Sequence, residues 1–190
     1  MTIEISSETC YAHTLAGRPR DDWEPLADHL DKVAESASIF AEAFGAKDWG
    51  EMIGRCHDLG KLSEEFQAYI KSAGPASEDA GAEEEAPGKR VDHSTFGARF
   101  VANAAGGVVG QLLAFCIAGH HTGLADESSA DDSTQRSTLR YKLDPAKYSI
   151  PAVAKPNLVL PTLKPIKMKP AAAGGLPFQL AFLRACCFLA

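Results

Sequence analysis

Residues 47–60 read KDWGEMIGRCHDLG, and the way this stretch ends decides the fold. Trp49, Met52, Ile53 and Cys56 recur at helical spacing and form one apolar face. The spacing predicts a helix ending at Gly60, with His57 and Asp58 side by side just before the stop. Adjacent side chains in a regular helix diverge by about 100°, so these two converge on one point only where the helix is running out.

The flanking segments keep the same period. Upstream, WEPLADHLDKVAESASIFAEAFG (23–45) sets Leu26, Leu30, Val33, Ala37, Phe40 and Phe44 at helical spacing, with Pro25 suited to a first turn and Gly45 to a stop. Downstream, Ser63 is a candidate N-cap followed by Glu64 and Glu65, and Phe66, Tyr69 and Ile70 form the face to be buried. HSTFGARFVANAA (93–105) and VVGQLLAFCIAGHH (108–121) continue the helical pattern. Between them and the third helix, residues 72–90 carry Pro, Gly, Ala and an acidic cluster with almost nothing to bury, which predicts a mobile surface loop.

Beyond His121 the text changes. Seven of the eleven prolines fall between Pro145 and Pro177, interleaved with Lys147, Lys155, Lys164, Lys167 and Lys169. Such spacing forbids a long helix and favours extended chain, so residues 126–176 read as a loop-rich Pro/Lys segment, and a solvated linker is the expectation for its lysines. PFQLAFLRACCFLA (177–190) then predicts a last apolar helix. No repeat is found, and almost no alternation demands a sheet. The fold class is all-α, as a single domain over residues 1–190.

Composition fits that reading. With 190 residues, 45% apolar and 23% charged, the chain can bury one real core. A net charge of -6 argues against a general basic surface for nucleic acid while allowing a local groove. The opening MTIEISSETCYAHT has no basic-then-apolar leader, and no apolar run approaches the ~20 residues that span a bilayer. A cytoplasmic protein is expected, with Cys10, Cys56, Cys116, Cys186 and Cys187 as buried thiols rather than a zinc or redox motif.

The chemistry lies in the histidines: His13, His29, His57, His93, His120 and His121. Taken singly, each is more simply a satisfied core or surface residue. His29 sits on the buried-looking face of the first helix, where an imidazole needs a partner: a backbone carbonyl in one reading, a metal in the other. His120 and His121 close an apolar helix, where two histidines could merely complement the helix dipole. Their grouping with His57–Asp58 favours ligation. Imidazoles suit manganese, iron, cobalt, nickel or zinc better than magnesium or calcium, and a carboxylate such as Asp58 can bridge two cations. Two such cations activate a water and stabilise a leaving oxygen at a phosphodiester, and Lys61 could meet the phosphate charge.

The order His29, His57–Asp58, DHS at His93 and then His120–His121 resembles metal-dependent phosphohydrolases of the HD superfamily. More closely, DHLDKVAE, CHDLGKLSEEFQAYI, DHSTFGARF and AGHHTGLAD are similar to the HD nuclease domain of the CRISPR-associated helicase-nuclease of type I systems. The likeness spans most of residues 11–125 and resumes at FQLAFLRACCFLA. HDxGK alone is only moderately specific; its continuation FQAYI and the HH after AG favour the CRISPR nuclease.

The resemblance implies an HD helical bundle with two divalent transition metal ions, cleaving single-stranded DNA in antiviral defence. One metal would take His29, His57 and Asp58; the second would share Asp58 with His93, His120 and His121. Asp58 and Lys61 would be the catalytic pair, Lys61 beside the scissile phosphate, and His13 stays outside the metal shell. The partners implied are an RNA-guided effector complex and a helicase in cis or in trans. The family's first metal also takes an aspartate of the last helix, expected just past Ala190, which reads the chain as the N-terminal part of a longer protein and its activity as impaired. Asp126, Asp131 and Asp132 are possible substitutes. Two alternatives stay open: an HD phosphodiesterase acting on small nucleotides, and a non-catalytic metal-binding module that docks a CRISPR complex.

Overall fold

The computed structural model describes residues 10–15, 17–43, 45–72, 91–121, 125–129, 138–153 and 158–165. It is a helical domain, as the periodicity predicts. The main elements are α1 (Leu26–Glu42), α2 (Lys47–Cys56), α3 (Glu64–Ser72), α4 (Ser94–Ala105) and α5 (Gly107–Ala118), with a short α6 (Leu139–Leu143). Two small strands, β1 (Tyr11–His13) and β2 (Glu24–Pro25), pair antiparallel ahead of α1. Among the described residues no helix is long and apolar enough to cross a membrane.

Two antiparallel helix pairs organise the domain. In the first, α1 turns back into α2 through Gly45, whose φ of +74° only glycine adopts freely. The amides of Gly45 and Ala46 return to the Glu42 and Ala41 carbonyls and satisfy the end of α1. The seam between the helices is made of small residues. A Cβ on Gly50 would strike the backbone of Ala37, and one on Gly54 the backbone of Ala34.

This seam corrects the expected face of α1. Leu26, Leu30 and Ala37 are buried, but the others on that face are Ala34, Ser38 and Ala41. Phe40 is 41% exposed and Val33 only partly covered, while Phe44 lies outside the described residues. Backbones this close leave no room for a large side chain, so the bulky residues of α1 turn away.

The second pair is α4 and α5, joined through Gly106 and Gly107 at φ +64° and +52°. Gly110 abuts the Ala102 backbone across this pair. Leu30, Cys56, Leu59, Ala98, Val101, Leu113 and Ile117 meet in one core between the two pairs. Cys56 and Cys116 are buried thiols as expected and Cys10 is partly so; Cys186 and Cys187 lie outside the described residues.

Three further expectations change. The α2 helix ends at Cys56 rather than Gly60, and a 3-10 turn, Leu59–Leu62, follows. Gly60 is needed for contact instead: a Cβ there would strike His93. The two-stranded pairing leaves no mark in the sequence, because strands of three and two residues are too short to show alternation. Finally, the described part of the Pro/Lys segment is not a free linker. Leu158, Leu160 and Leu163 pack on the core, and Lys164 accepts from the Trp49 indole at 2.9 Å and donates its amide to Asp48. Of the loop expected over residues 72–90, Ser72 instead ends α3 and the rest lies outside the described residues, as does the last helix expected over 177–190.

Candidate metal centre

An antiparallel pair returns the chain to the end where it began, and both pairs open toward the same place. The first turn of α1 carries His29, and the end of α2 delivers His57 and Asp58. His93 stands immediately before α4, and His120 and His121 immediately follow α5. Four helix ends therefore meet. The approach is fixed by glycine, since a Cβ on Gly97 of α4 would strike the Cys56 carbonyl beneath it.

Asp58 is at the centre, 2% exposed. It follows the last turn of α2 at φ −110° and ψ 18°, so its side chain leaves the helical path and joins that of His57. Its two oxygens face different partners. Oδ2 lies 3.4 Å from His29 Nε2, 3.3 Å from His57 Nε2 and 2.8 Å from Lys61 Nζ. Oδ1 lies 3.2 Å from His120 Nε2 and 3.6 Å from His93 Nε2. The His29 and His57 Nε2 atoms are 3.2 Å apart, and those of His93 and His121 are 2.6 Å apart. The structure thus brings together all six residues expected as ligands.

The opposite ring nitrogens are anchored. His29 Nδ1 meets Glu24 at 3.2 Å, His57 Nδ1 the Gly54 carbonyl at 2.8 Å, His93 Nδ1 the Val91 carbonyl at 3.1 Å and His120 Nδ1 the Ile117 carbonyl at 2.6 Å. A proton held on Nδ1 leaves Nε2 with a lone pair aimed inward, the arrangement that ligating histidines show.

Two observations say that a cation fits. First, among the described residues Asp58 Oδ1 and His120 Nε2 are buried without a hydrogen-bond partner despite their 3.2 Å approach. Two acceptors facing each other are costly until something positive lies between them. Second, His29 Nε2, His57 Nε2 and Asp58 Oδ2 form a triangle with edges of 3.2, 3.3 and 3.4 Å. Donors about 2.0–2.1 Å from a tetrahedral cation stand roughly 3.3–3.4 Å apart.

Electrostatics agree. Burial opposes ionisation of Asp58, but the attraction of His57 and Lys61 outweighs it and holds the carboxyl well below its usual range. Burial lowers His93 to about 4, and burial with the nearby Lys61 lowers His13 to about 4. Both are neutral near pH 7, the form a metal takes.

Lys61, expected beside a scissile phosphate, turns inward toward Asp58. It is 4% exposed, donates to the Ala12 carbonyl at 3.3 Å, and its ammonium lies 5.6 Å above the Phe66 ring. In this structure its charge answers Asp58.

His13 is the residue that sequence reasoning left out. It packs edge-on against His29 with ring centroids 4.8 Å apart, and together with His29 and Asp58 it forms a second group of possible ligands. Gln67 holds it there indirectly. The Gln67 side-chain amide accepts from the Tyr11 N–H at 3.0 Å and donates to the Tyr11 and Lys61 carbonyls at 2.9 and 2.8 Å, tying β1 to the 3-10 turn. No period in the sequence signals a three-residue strand, so His13 had no visible neighbour. Asp126 is exposed and belongs to neither possible ligand group among the described residues; Asp131 and Asp132 lie outside them.

Comparison with known proteins follows the same line. A search of curated proteins finds no match. The family model described as "Cas3, HD domain" matches residues 15–159, roughly three quarters of the chain. That span contains every expected ligand and both helix pairs. The chain belongs to the Cas3 HD-domain family, the metal-dependent nuclease domains of CRISPR-associated helicase-nucleases.

Proposed function

We propose that the chain cleaves single-stranded DNA, using two divalent transition metal ions held on either side of Asp58. His29 and His57 with Oδ2 hold one; His93, His120 and His121 with Oδ1 hold the other. The observation that carries this reading is the division of Asp58: Oδ2 faces His29 and His57, and Oδ1 faces His93 and His120, all at 3.2–3.6 Å. Imidazole-rich donors favour manganese, iron, cobalt or nickel over magnesium. Bound there, the pair supplies Lewis-acid activation of water and neutralises charge on the reacting phosphodiester.

The protein's own part is to hold the donors. Asp58 fixes the spacing of the two sets, the anchored Nδ1 atoms keep each Nε2 lone pair inward, and Lys61 keeps Asp58 ionised and in place. The partners consistent with this family are an RNA-guided complex that displaces the strand and a helicase, in cis or in trans, that feeds it. Residues 1–190 act as one nuclease domain in this proposal, and its substrate meets it in the cytoplasm.

The test is cleavage of circular single-stranded DNA by chelator-stripped protein, with manganese, nickel, cobalt or magnesium restored and duplex DNA and small nucleotides alongside. Manganese-restored cutting of the single strand is expected, falling more than about 100-fold in His120→Ala, since even partners of metal ligands are worth about 10–100-fold. Hydrolysis of nucleotides alone, or metal uptake without turnover, would overturn the assignment.

A further inference from the structure

Three of the four anchored histidines meet backbone carbonyls close in sequence, and that of His93 is only two residues away. His93 also lies before its helix rather than in it, with φ −114° and ψ −15°. Something else must hold that backbone, and the residue before it does. Asp92 accepts the Thr95 amide at 2.9 Å, the Thr95 hydroxyl at 2.7 Å and the Tyr148 hydroxyl at 2.7 Å. Thr95 is fully buried.

Tyr148 is itself clamped. Its carbonyl accepts Arg99 Nη2 at 2.5 Å, its amide donates to the Asp144 carbonyl at 3.0 Å, and Arg99 Nε donates to the Lys142 carbonyl at 2.8 Å. Arg99 stands one turn along α4 from Thr95. The chain around Tyr148 is thus fastened to α4 at two levels, and the upper one grips Asp92.

We propose that Tyr148 and Asp92 are positioning residues for His93, so that the chain beyond α6 sets how tightly the second donor set holds its cation. The inference rests on the two-cation reading above. In that set His120 and His121 are consecutive on one helix end, and His93 is the only imidazole from another element. A tilt at residue 93 therefore opens the gap between the His93 and His121 Nε2 atoms, 2.6 Å in this structure. The Tyr148 hydroxyl restrains that tilt from 56 residues away in sequence.

The experiment is a cobalt(II) titration of the chelator-stripped chain, following visible ligand-field absorption and counting bound metal. His120→Ala and His29→Ala identify which equivalent belongs to which side of Asp58. Tyr148→Phe, which deletes one oxygen, is expected to weaken the equivalent that His120→Ala removes by about 10–100-fold, as loss of an outer partner does at other metal sites. The equivalent lost in His29→Ala should keep its affinity, and Asp92→Asn should move affinities in the same direction as Tyr148→Phe. Wild-type affinity at both sites in Tyr148→Phe would overturn the proposal. So would equal weakening of both sites with a matching drop in the urea midpoint of the metal-free protein, because that is a general loss of stability. A wild-type chain that takes up no cobalt at all would instead overturn the two-cation reading, and this inference with it.

Discussion

With its side chain 3% exposed and the Lys61 ammonium 2.8 Å from Oδ2, Asp58 is the counter-charge of a buried cation as well as the centre of the donor cluster. Removing one partner of a buried ion pair costs about 3–5 kcal/mol because the other charge is left uncompensated. Asp58→Ala should therefore destabilise the metal-free protein by about that amount, a larger loss than a residue devoted to coordination alone would give. Replacing both partners, as in Asp58→Asn with Lys61→Met, should recover much of the loss. Urea unfolding of wild type, Asp58→Asn, Lys61→Met and the double variant in chelator closes the cycle; an Asp58→Ala protein as stable as wild type would show that Lys61 finds another partner. Lost cleavage in Asp58→Ala is accordingly ambiguous, and His120→Ala, which strands no cation, is the cleaner probe of the centre. The grouping of the candidate donors was legible at this scale because His57–Asp58 and His120–His121 are adjacent pairs at predicted helix ends. The pairing of Lys61 was not, since nothing local tells whether a lysine after a glycine turns inward or outward.

At the scale of elements, the donors converge because two helix pairs are packed on glycine. Gly54 lies against the Ala34 backbone and Gly97 against the Cys56 carbonyl, so an added methyl must force the helices apart. Overpacking of this kind costs about 1–3 kcal/mol, while alanine regains up to about 1 kcal/mol of helix propensity. We expect Gly97→Ala to be the more damaging for function. It separates α4 from the end of α2, and with it His93 from Asp58, so metal uptake should weaken along with stability. Gly54→Ala acts between α1 and α2 and should loosen the His29–His57 side. Calorimetric melting with and without manganese separates the effects: a melting loss in Gly97→Ala that metal reverses completely would contradict the argument. The helices themselves were legible from their apolar period, α4 to within a residue and α5 to within three. The inward face of α1 was not, because a seam built from Ala34, Ser38 and Ala41 carries no large apolar residue for periodicity to find. The same holds for the β1–β2 pairing and for Leu158, Leu160 and Leu163, whose packing is decided by tertiary contact rather than by local pattern.

For the whole molecule, the cluster makes stability depend on pH and metal together. His93 and His13 are lowered to about 4 in the folded protein, against 6.5 for the free side chain. The unfolded chain therefore binds more protons than the folded one between about pH 6.5 and pH 4, and stability falls as pH falls through that window. Asp58 and Asp92 act in the same sense lower down. Burial opposes ionisation of Asp92, but the Thr95 amide and hydroxyl and the Tyr148 hydroxyl outweigh it and lower its carboxyl. Both carboxylates contribute stability above their unfolded range that is lost on acidification. Metal works against this slope, since a cation bound by the folded form alone adds about 2.7 kcal/mol per site at 100 times its dissociation constant. Because the same imidazoles take either a proton or a metal, that gain should shrink as pH drops from 7.5 to 4, where His93 of the folded protein begins to take a proton. Melting curves at both values, in chelator and in excess manganese, give four midpoints. The metal-free midpoint should fall on acidification, and the rise on adding manganese should be larger at pH 7.5. Replacing His93 with glutamine should flatten the metal-free pH dependence and reduce the manganese rise in the same protein. A manganese rise at pH 4 equal to that at pH 7.5 would mean that the cation binds away from these imidazoles.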